Sequence, residues 1–515
     1  MPRTVKIALI ILVLAFLGML GFKYLVPALE ERETRQTSDA IASKGSIKIG
    51  VDNFIGYYPL CSKELSRRMR QKGYRLECID DGADYKSRYE SLADRKIDLA
   101  VGTIDSYVLN GQDENYPGAI IAVIDESKGV DAIMAWEDSV NSIDQLKDKE
   151  NLKIAFTPDS PSHQLLKAIS VHFDIGRLKN SDDWAVEANG SEDAREKLKK
   201  REVDVAVLWE PDVSRISKVS GIKKILGTET TKRLIVDILV AERKFIKNNE
   251  EAIATLLKEY YKTLQFYQRD QSAFIDDVES DTGLDKDTVI QMLAGIEWMS
   301  LQDNYLEWFG LEAVDGLRNE GVIDSIESTV SILRDFGSVS SSPLPNRDPY
   351  TITNSSFVSK LYDSMMNSNG FGSKQKAVDI SFDSLSNSQW EKLREIGTLK
   401  VRPIVFSSGS DELTLEGKKE IDLAVESLEH YPAYRLKIKG HTSTRGDEKQ
   451  NMLLSQDRAE SVLRYLTITH GIDENRVLAI GYGGTLPLKK QAGESFRAYQ
   501  YRLPRVELVL VAEEI

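Results

Sequence analysis

Hydrophobic residues along the chain fall into two alternating patterns. Short apolar runs, such as SIKIGV from Ser46, IDLAVGTI from Ile97 and VDVAVLWEP from Val203, are typical of buried strands. Between them lie longer polar segments with apolar positions at helical spacing, for example CSKELSRRMRQKGY from Cys61, which ends at a glycine. Because strands and helices alternate, the pattern predicts an α/β fold with largely parallel sheets.

The alternating elements form two sets and then a separate module. The second set begins with SIDQLKDKENLKIAF, and extended segments near 122–135 and 209–240 predict that the chain crosses twice between two lobes. A helical region follows to about Asp335, and the stretch after it is rich in Ser, Asn and Pro. We predict a two-lobed domain over 46–365, a linker over 366–398 and a compact α/β module over 399–515.

The first residues form a single long apolar run, unlike the alternating pattern that follows. Ile7 to Phe22 carries no charge and corresponds to roughly 24 Å of helix. Arg3 and Lys6 precede this run, which predicts a cytoplasmic N-terminus and export of the remainder. We predict a transmembrane signal anchor within 1–29 and a polar linker over 30–45. The alternative is a cleaved signal peptide.

Composition narrows the function classes. The 515 residues carry a net charge of −14, which argues against nucleic acid as a partner. Export would place the two cysteines, Cys61 and Cys78, in an oxidising compartment, where they form either a disulfide or two buried free thiols. No Ser-His-Asp order with a supporting motif, HExxH, CxxC pair or phosphate loop occurs, so we predict neither an enzyme nor a metal or cofactor site.

Candidate solute-binding residues follow the predicted strands, because ligands of open parallel sheets lie beyond the carboxyl ends of strands. A helix N-terminus predicted at Ser160–His163 could hold an anion through its backbone N–H groups and dipole, whereas the many acids favour an amine or a protonated heterocycle. The alternative is that most of these acids cap helices or face solvent. The candidates are Asp52, Phe54, Tyr57, Asp80, Asp105, Asp125, Ser127, Ser160, His163, Glu210 and Asp237.

The two-lobed region resembles the type II periplasmic solute-binding proteins, in particular those for nitrate, sulfonates, taurine and thiamine-pyrimidine precursors. The resemblance rests on the aromatic-Gly-aromatic-x-Pro turn from Phe54 and on DESKGVDAIMA, SIDQLKDK, SPSHQLL and VDVAVLWEP, in that order. It covers roughly 46–340. It implies two lobes that close by a hinge on a small ligand.

The C-terminal module resembles the OmpA-like domains, which bind peptidoglycan in the Gram-negative periplasm. The motifs are IVFSSGSDEL, IKGHTSTRGD, NMLLSQDRAESVLRYL, GYGGTLPL and RVEL. The resemblance implies helices on one face of a mixed sheet. It also implies that Arg458 contacts diaminopimelate of the stem peptide, at a position where the family has an arginine.

The module departs from the family pattern at one important position. Where the family places the aspartate that pairs with the ligand ammonium, this chain has Ser443, and a neutral hydroxyl gives a weaker bond than a carboxylate. Asp447 is a candidate substitute, although Asp447 and Gln450 also have capping-box spacing. Helical spacing places Asn451, Ser455 and Arg458 on one face. The late family motif NRR reads LPR here, at Leu503 to Arg505.

These observations predict a protein of the inner membrane, single-pass, with the bulk of the chain in the periplasm. Its cleft would bind a small solute and its C-terminal domain would bind peptidoglycan. One alternative is the substrate-binding component of an ABC transporter, which delivers a nitrogen- or sulfur-containing solute to a permease. A second is an architectural envelope protein without a small ligand, and a third is an enzyme on the binding-protein scaffold.

Overall fold

The computed structural model describes residues 43–313, 318–366, 382–407 and 409–513. The predicted signal anchor lies outside these residues. Across the described ranges, no helix is both long enough and apolar enough to span a membrane. The strands are β1 (Gly45–Val51), β2 (Tyr74–Asp80), β3 (Leu99–Thr103), β4 (Gly118–Ser127), β5 (Asp131–Trp136), β6 (Ile154–Phe156), β7 (Ala185–Glu187), β8 (Val205–Trp209), β9 (Ile222–Gly227), β10 (Val236–Glu242), β11 (Ile296–Trp298), β12 (Arg394–Leu399), β13 (Arg435–His441), β14 (Val477–Gly481) and β15 (Arg505–Ala512).

The helices lie between these strands, and over 243–294 four of them follow one another with only short breaks. They are α1 (Tyr58–Cys61), α2 (Lys63–Gln71), α3 (Tyr85–Ala93), α4 (Ile104–Asn110), α5 (Gln145–Asp148), α6 (Pro161–His172), α7 (Gly176–Asn180), α8 (Gly190–Lys199), α9 (Asp212–Ser217), α10 (Arg243–Asn248), α11 (Glu250–Arg269), α12 (Gln271–Thr282), α13 (Lys286–Ala294), α14 (Leu301–Asp303), α15 (Gly321–Phe336), α16 (Ser356–Met366), α17 (Asn387–Lys392), α18 (Leu415–Glu429), α19 (Glu448–His470) and α20 (Phe496–Arg502).

Two sheets with the same plan form the lobes. The first has the order β11-β4-β10-β3-β1-β2 and the second β7-β6-β8-β5-β9. In each, three parallel strands are followed by one antiparallel strand, β10 or β5, and then by another strand parallel to the first three. Each antiparallel strand directly follows a crossing from the other lobe, so the predicted two-lobed α/β architecture is confirmed.

The crossings lie at 128–130 and 228–235, inside the predicted ranges, and hydrogen bonds join them. Thr228 Oγ1 lies 2.6 Å from Ser127 Oγ and accepts from Gly129 N at 3.0 Å, and Lys128 Nζ donates to Thr231 O at 2.9 Å. Ser127, predicted as a solute-binding residue, thus bonds to the second crossing through its hydroxyl.

Helix α15 packs against both lobes. Its residues Val322 and Ile326 belong to the core of the first lobe. Ile332, on another face of the same helix, belongs to the core of the second lobe. Because one amphipathic helix contributes to both cores, it ties the lobes together, and its Asp324 also pairs with Arg233 of the second crossing at 2.8 Å.

The C-terminal module has a mixed four-stranded sheet of order β12-β15-β13-β14. Helices α18 and α19 cover one face, while Trp390 of α17 packs on Val509 and Val511 from the other. Both α17 and β12 lie in the stretch predicted as linker. Strand β12 ends at Leu399, and Pro403 in the segment that follows has no N–H to donate to a ladder.

The C-terminal module also packs directly on the second lobe. Ile143 N donates to Ile396 O at 3.0 Å, Lys400 N to His172 O at 2.6 Å, and Lys232 N to His430 O at 2.8 Å. One apolar cluster spans both bodies, with Phe173 of the lobe against Tyr431 of the module at a centroid distance of 5.5 Å. The composition of the preceding linker gave no sign of this contact.

Two histidines lie at the centre of this interface. The rings of His172 and His430 stack with centroids 5.2 Å apart. His172 Nδ1 lies 2.9 Å from the Tyr431 hydroxyl, and the two nitrogens of His430 lie 2.9 Å from Ser328 Oγ and from Lys232 O. Burial lowers the pKa of His172 well below its usual range, helped by His430, and burial also lowers the pKa of His430. Both rings are therefore neutral at pH 7.

Replacing His430 with Gln should make stability less dependent on pH. In the unfolded chain these histidines bind protons near pH 6.5, whereas in the fold they resist protonation, so stability is complete above about pH 7 and falls as the pH decreases. The loss amounts to about 1.4 kcal/mol per pH unit for each histidine. Urea unfolding between pH 7.5 and 5 should show a smaller decrease for His430→Gln. Identical slopes for the variant and the parent would contradict a neutral histidine pair.

Candidate functional site

Polar side chains from neighbouring strands of the first lobe form a row at the cleft edge. In the sheet register Asp237 of β10 is opposite both Thr103 of β3 and Asp125 of β4, so the three side chains point to one face. All three are buried, and the Tyr57 hydroxyl donates to Asp237 Oδ1. We call Thr103, Asp237 and Asp125 the cleft row.

Burial raises the pKa values of the acids around the cleft row, so these acids keep their protons to a higher pH than usual. It raises the pKa of Asp125 and of Asp237 well above the ordinary range, and for Asp125 the neighbouring Asp237 adds to the effect. Burial also raises the pKa of Asp105, in the first turn of α4, to about 6, and that of Asp131, at the start of β5 in the second lobe, to about 7. The site therefore combines four weakly ionised carboxyls from both lobes.

The second lobe contributes hydroxyls and one ammonium group. Ser160 Oγ donates to Thr157 O at 2.6 Å, and Ser162 Oγ accepts from Thr157 N at 3.1 Å, which shapes the loop before α6. Lys167 of α6 is buried, and burial lowers its pKa while Asp159 and Asp105 oppose that shift. Lys167 thus faces the acids of the first lobe across the cleft.

His163 behaves as a packing residue. Its ring contacts Phe156 at a centroid distance of 4.7 Å, and burial lowers its pKa well below the usual range, with the positive charge of Lys167 adding to the shift. A neutral imidazole on an aromatic face supplies no charge to a ligand. A neutral contact between His163 and a solute stays a prediction.

Several predicted acids are satisfied by the protein itself. Asp52 accepts from Arg88 at 3.0 Å, Glu210 accepts from Ser214 N at 2.9 Å, and Asp80 is exposed and caps a turn through Gly82 N at 2.8 Å. Phe54 packs edge-on against Tyr57 with centroids 5.2 Å apart. Of the predicted set, Asp105, Asp125, Asp237 and Tyr57 meet at the cleft edge, with Ser160 opposite them.

Arg88, Asp131 and Lys167 were not predicted. Asp131 stands directly after a crossing, so the strand-end rule could have included it by treating crossings as strand ends. Arg88 and Lys167 lie within helices, and the sequence contains no signal that their side chains reach the cleft or its supporting acids.

The two cysteines form a disulfide with Cα atoms 6.0 Å apart. It joins the end of α1 to the edge strand β2, the two elements that enclose α2. The disulfide thus fixes the loop that carries Phe54 and Tyr57 relative to the sheet.

Replacing Arg88 with Met should destabilise the first lobe by about 3–5 kcal/mol. The guanidinium is fully buried and also bonds Asp81 at 2.6 Å and Val101 O at 3.0 Å, so its removal leaves two carboxylates without a cation. Urea unfolding at pH 7.5 measures the change. The matched control is Arg67→Met, which breaks an exposed pair with Glu64 and should cost less than about 1 kcal/mol. Equal effects for both would contradict this assignment.

In the C-terminal module Arg458 lies half-buried on α19. Its Nε donates to Ser410 O at 3.0 Å, and the guanidinium lies over the Phe406 ring at 5.0 Å from the centroid. Burial lowers the pKa of Arg458, an effect that Asp411 opposes. Among the described residues no group bonds its two terminal nitrogens, so the planar fork remains available for a carboxylate.

The loop before α19 is held by its own polar residues. Asn451 Nδ2 donates to Arg445 O at 2.8 Å, and Asp447 Oδ1 accepts from Gln450 N at 2.9 Å as the N-cap of α19. Asp447 stands eleven positions before Arg458, a rise of about 16 Å along the helix. At that separation Asp447 is not placed to share a single diamino acid with Arg458, which leaves Ser443 as the residue at the family position.

Ser455 is buried between α19 and the sheet, and its side chain does not lie on the exposed face of the helix. It is fully buried, and its hydroxyl accepts from Gly483 N at 2.8 Å. A Cβ on Gly440 would lie 2.1 Å from Ser455 O, so α19 and β13 approach as closely as only glycine permits. Helical spacing placed Ser455 and Arg458 on one face, but the tilt of α19 on the sheet buries the first and leaves the second accessible.

Comparison with known proteins identifies the C-terminal module. Residues 405–500 match the OmpA family. The peptidoglycan-associated lipoprotein of Buchnera aphidicola subsp. Baizongia pistaciae is 29% identical over 140 residues, which is 27% of this chain and 75% of that protein. The probable lipoprotein YiaD of Escherichia coli K12 is 31% identical over 100 residues, 19% of this chain and 45% of that protein. The module is an OmpA-family domain.

Among solved structures, the chain is similar to a putative periplasmic sulfonate-binding protein, SsuA, from Methylobacillus flagellatus KT. The identity is 14%, the TM-score is 0.48, and the match covers 65% of this chain and 98% of that one.

Proposed function

We propose that this chain is a cell-envelope protein that binds a small solute between its two lobes and attaches to peptidoglycan through its C-terminal module. The observation that supports attachment most directly is Arg458, a half-buried cation with free terminal donors in an OmpA-family domain. The cleft row and the acids opposite it support a small polar solute. No catalytic step is part of this proposal.

The finer assignments extend the same proposal. The apolar run from Ile7 to Phe22 would hold the protein in the inner membrane as a single span, with the two folded domains in the periplasm. Peptidoglycan would be recognised through the diaminopimelate of its stem peptide, whose carboxylate suits the Arg458 fork. Attachment at both ends would keep the solute-binding lobes between the membrane and the wall.

Ser443 sets the strength expected of this attachment. An acid at that position would form a charge-assisted bond with the ligand ammonium, and such bonds are roughly twice as strong as neutral ones. The serine hydroxyl already lies 3.4 Å from Arg445 N within its own loop. We therefore propose a weaker attachment than in a domain with aspartate at this position.

Peptidoglycan sacculi sedimented with the full-length chain should test the site. We expect Arg458→Ala to reduce binding more than tenfold, since a charge-assisted carboxylate contact is lost. Ser443→Asp should strengthen binding about tenfold, because a hydroxyl becomes a carboxylate partner for the ammonium. The bound fraction is measured across a range of protein concentrations.

The matched control is Arg464→Ala. Arg464 lies on the same helix, is 54% exposed and bonds Ser461 Oγ at 2.7 Å, so its loss should leave binding unchanged. If Arg458→Ala and Arg464→Ala behave alike, Arg458 is not the binding residue. If the parent chain does not sediment with sacculi at all, the proposed attachment is wrong.

A further inference from the structure

Unsatisfied polar atoms concentrate in the cleft. Of the fourteen buried side-chain nitrogen and oxygen atoms that lack a hydrogen-bond partner in the described part of the chain, seven belong to residues at the cleft. Folded proteins leave few such atoms, since each one costs about as much as a lost hydrogen bond. The residues are Thr103, Asp125, Asp131, Thr157 and Gln164.

These atoms come from both lobes and from separate elements. Thr103 and Asp125 lie in the cleft row, Asp131 begins β5, and Thr157 and Gln164 flank the start of α6. Both carboxylate oxygens of Asp125 are among them, and Asp125 is fully buried. The set is divided between the two lobes, so a molecule bound between them could satisfy atoms from both lobes at once.

The charges facing that molecule are mostly negative when ionised. Asp105, Asp125, Asp131 and Asp237 converge there, and the nearby buried cation is Lys167, because Arg88 is committed to Asp52 and Asp81. An anion placed among these acids would force each of them to remain protonated. A molecule with N–H donors and a positive charge would instead satisfy the free carboxylate oxygens.

The walls of the site suit a small charged group. The Tyr57 ring lies beside Asp237, to which it donates, and Phe54 packs on Tyr57. A Cβ on Gly56 would come within 2.5 Å of Asp125 Oδ2, so the backbone itself approaches the carboxylate there. An aromatic surface beside paired acids is a common setting for an organic ammonium ion.

We propose that the cleft binds a small organic amine, whose ammonium group lies among Asp125 and Asp237 of the first lobe and Asp131 of the second. Its other end, polar or anionic, lies toward Lys167 and the hydroxyls at the start of α6. This proposal rests on the proposed solute-binding function and names the chemical class of the solute. Because the acids belong to both lobes, a bound ammonium also holds the lobes together.

The pH dependence follows from the acids. Before binding, burial keeps Asp105 protonated below about pH 6 and Asp131 below about pH 7, and an arriving ammonium displaces those protons. Amine affinity should therefore increase as the pH rises from 5.5 to 8. An anionic ligand would show the opposite trend, since it requires the protonated acids.

Two probe pairs separate the ammonium from the remainder of the molecule. Taurine and isethionate share a sulfonate and a two-carbon chain and differ by an ammonium in place of a hydroxyl, and ethanolamine and ethylene glycol differ in the same way. The full-length chain is first unfolded and refolded to remove bound molecules. Isothermal titration calorimetry should then detect binding of taurine or ethanolamine. Isethionate and ethylene glycol should bind at least tenfold more weakly than their partners.

Variants locate the binding position. Asp125→Asn should lower amine affinity at least tenfold while the chain still folds, because a neutral amide resembles the protonated carboxyl present without ligand. Asp80→Asn is the control, since Asp80 is an exposed strand-end acid outside the cleft, and its affinity should equal that of the parent. Circular dichroism and the unfolding midpoint confirm that each variant is folded.

The outcomes distinguish the two proposals. Isethionate binding as tightly as taurine, or unchanged amine affinity in Asp125→Asn, would overturn the amine while leaving a solute receptor in place. If no probe binds, native mass spectrometry of the chain purified from cells decides. A co-purified molecule with a basic nitrogen supports the amine, one without a basic nitrogen overturns it, and an empty chain overturns solute binding altogether.

Discussion

The contact between the second lobe and the C-terminal module governs how the described domains act together. Phe173, Ile396 and Tyr431 share one apolar cluster, and backbone hydrogen bonds cross the boundary on both sides of it. A shared core of this kind moves as one body, unlike domains connected only by a linker. If the proposed cleft opens, the first lobe would therefore move relative to the second lobe and the C-terminal module together. His430 contacts both the crossing, through Lys232, and the bridging helix α15, through Ser328.

Buried charge divides the first lobe into a supporting part and a binding part. Arg88 donates to Asp52, to Asp81 and to Val101 O, so its charge neutralises the two acids and their pairing stabilises the fold. Within the described residues, no ion pair joins a cation to Asp125 or Asp237 of the cleft row. Burying a carboxyl without a cation partner is unfavourable. Arg88 thus separates the strand-end acids that the fold itself pairs from those that the proposed ligand would pair.

The sequence predicted the architecture well and the site in part. Strand and helix periodicity found both lobes and both crossings, because each element carries its own local pattern. The strand-end rule selected Asp105, Asp125 and Asp237 correctly as neighbours, but it also selected Asp52 and Glu210. Their partners, Arg88 and Ser214, reach them only through tertiary or capping contacts that no spacing reveals. The same holds for β12, which lies in a stretch of linker-like composition and becomes a strand because β15 offers it an edge.

The contacts that hold Arg458 within the fold use different atoms from those that the family resemblance assigns to a ligand. On a helical stripe with Val462 and Leu466, a cation needs some compensation for partial burial, and the fold provides it through Ser410 O and the Phe406 ring. Those contacts orient the guanidinium without using its terminal donors, so structural support and ligand binding do not compete for the same atoms. The rise of α19 then separates Asp447 from this fork, and the capping bond to Gln450 N gives that carboxylate a role of its own. Under the proposed attachment, Ser443 would offer the ligand ammonium no charge, and recognition would depend on the ligand carboxylate, for which Arg458 is already held in place.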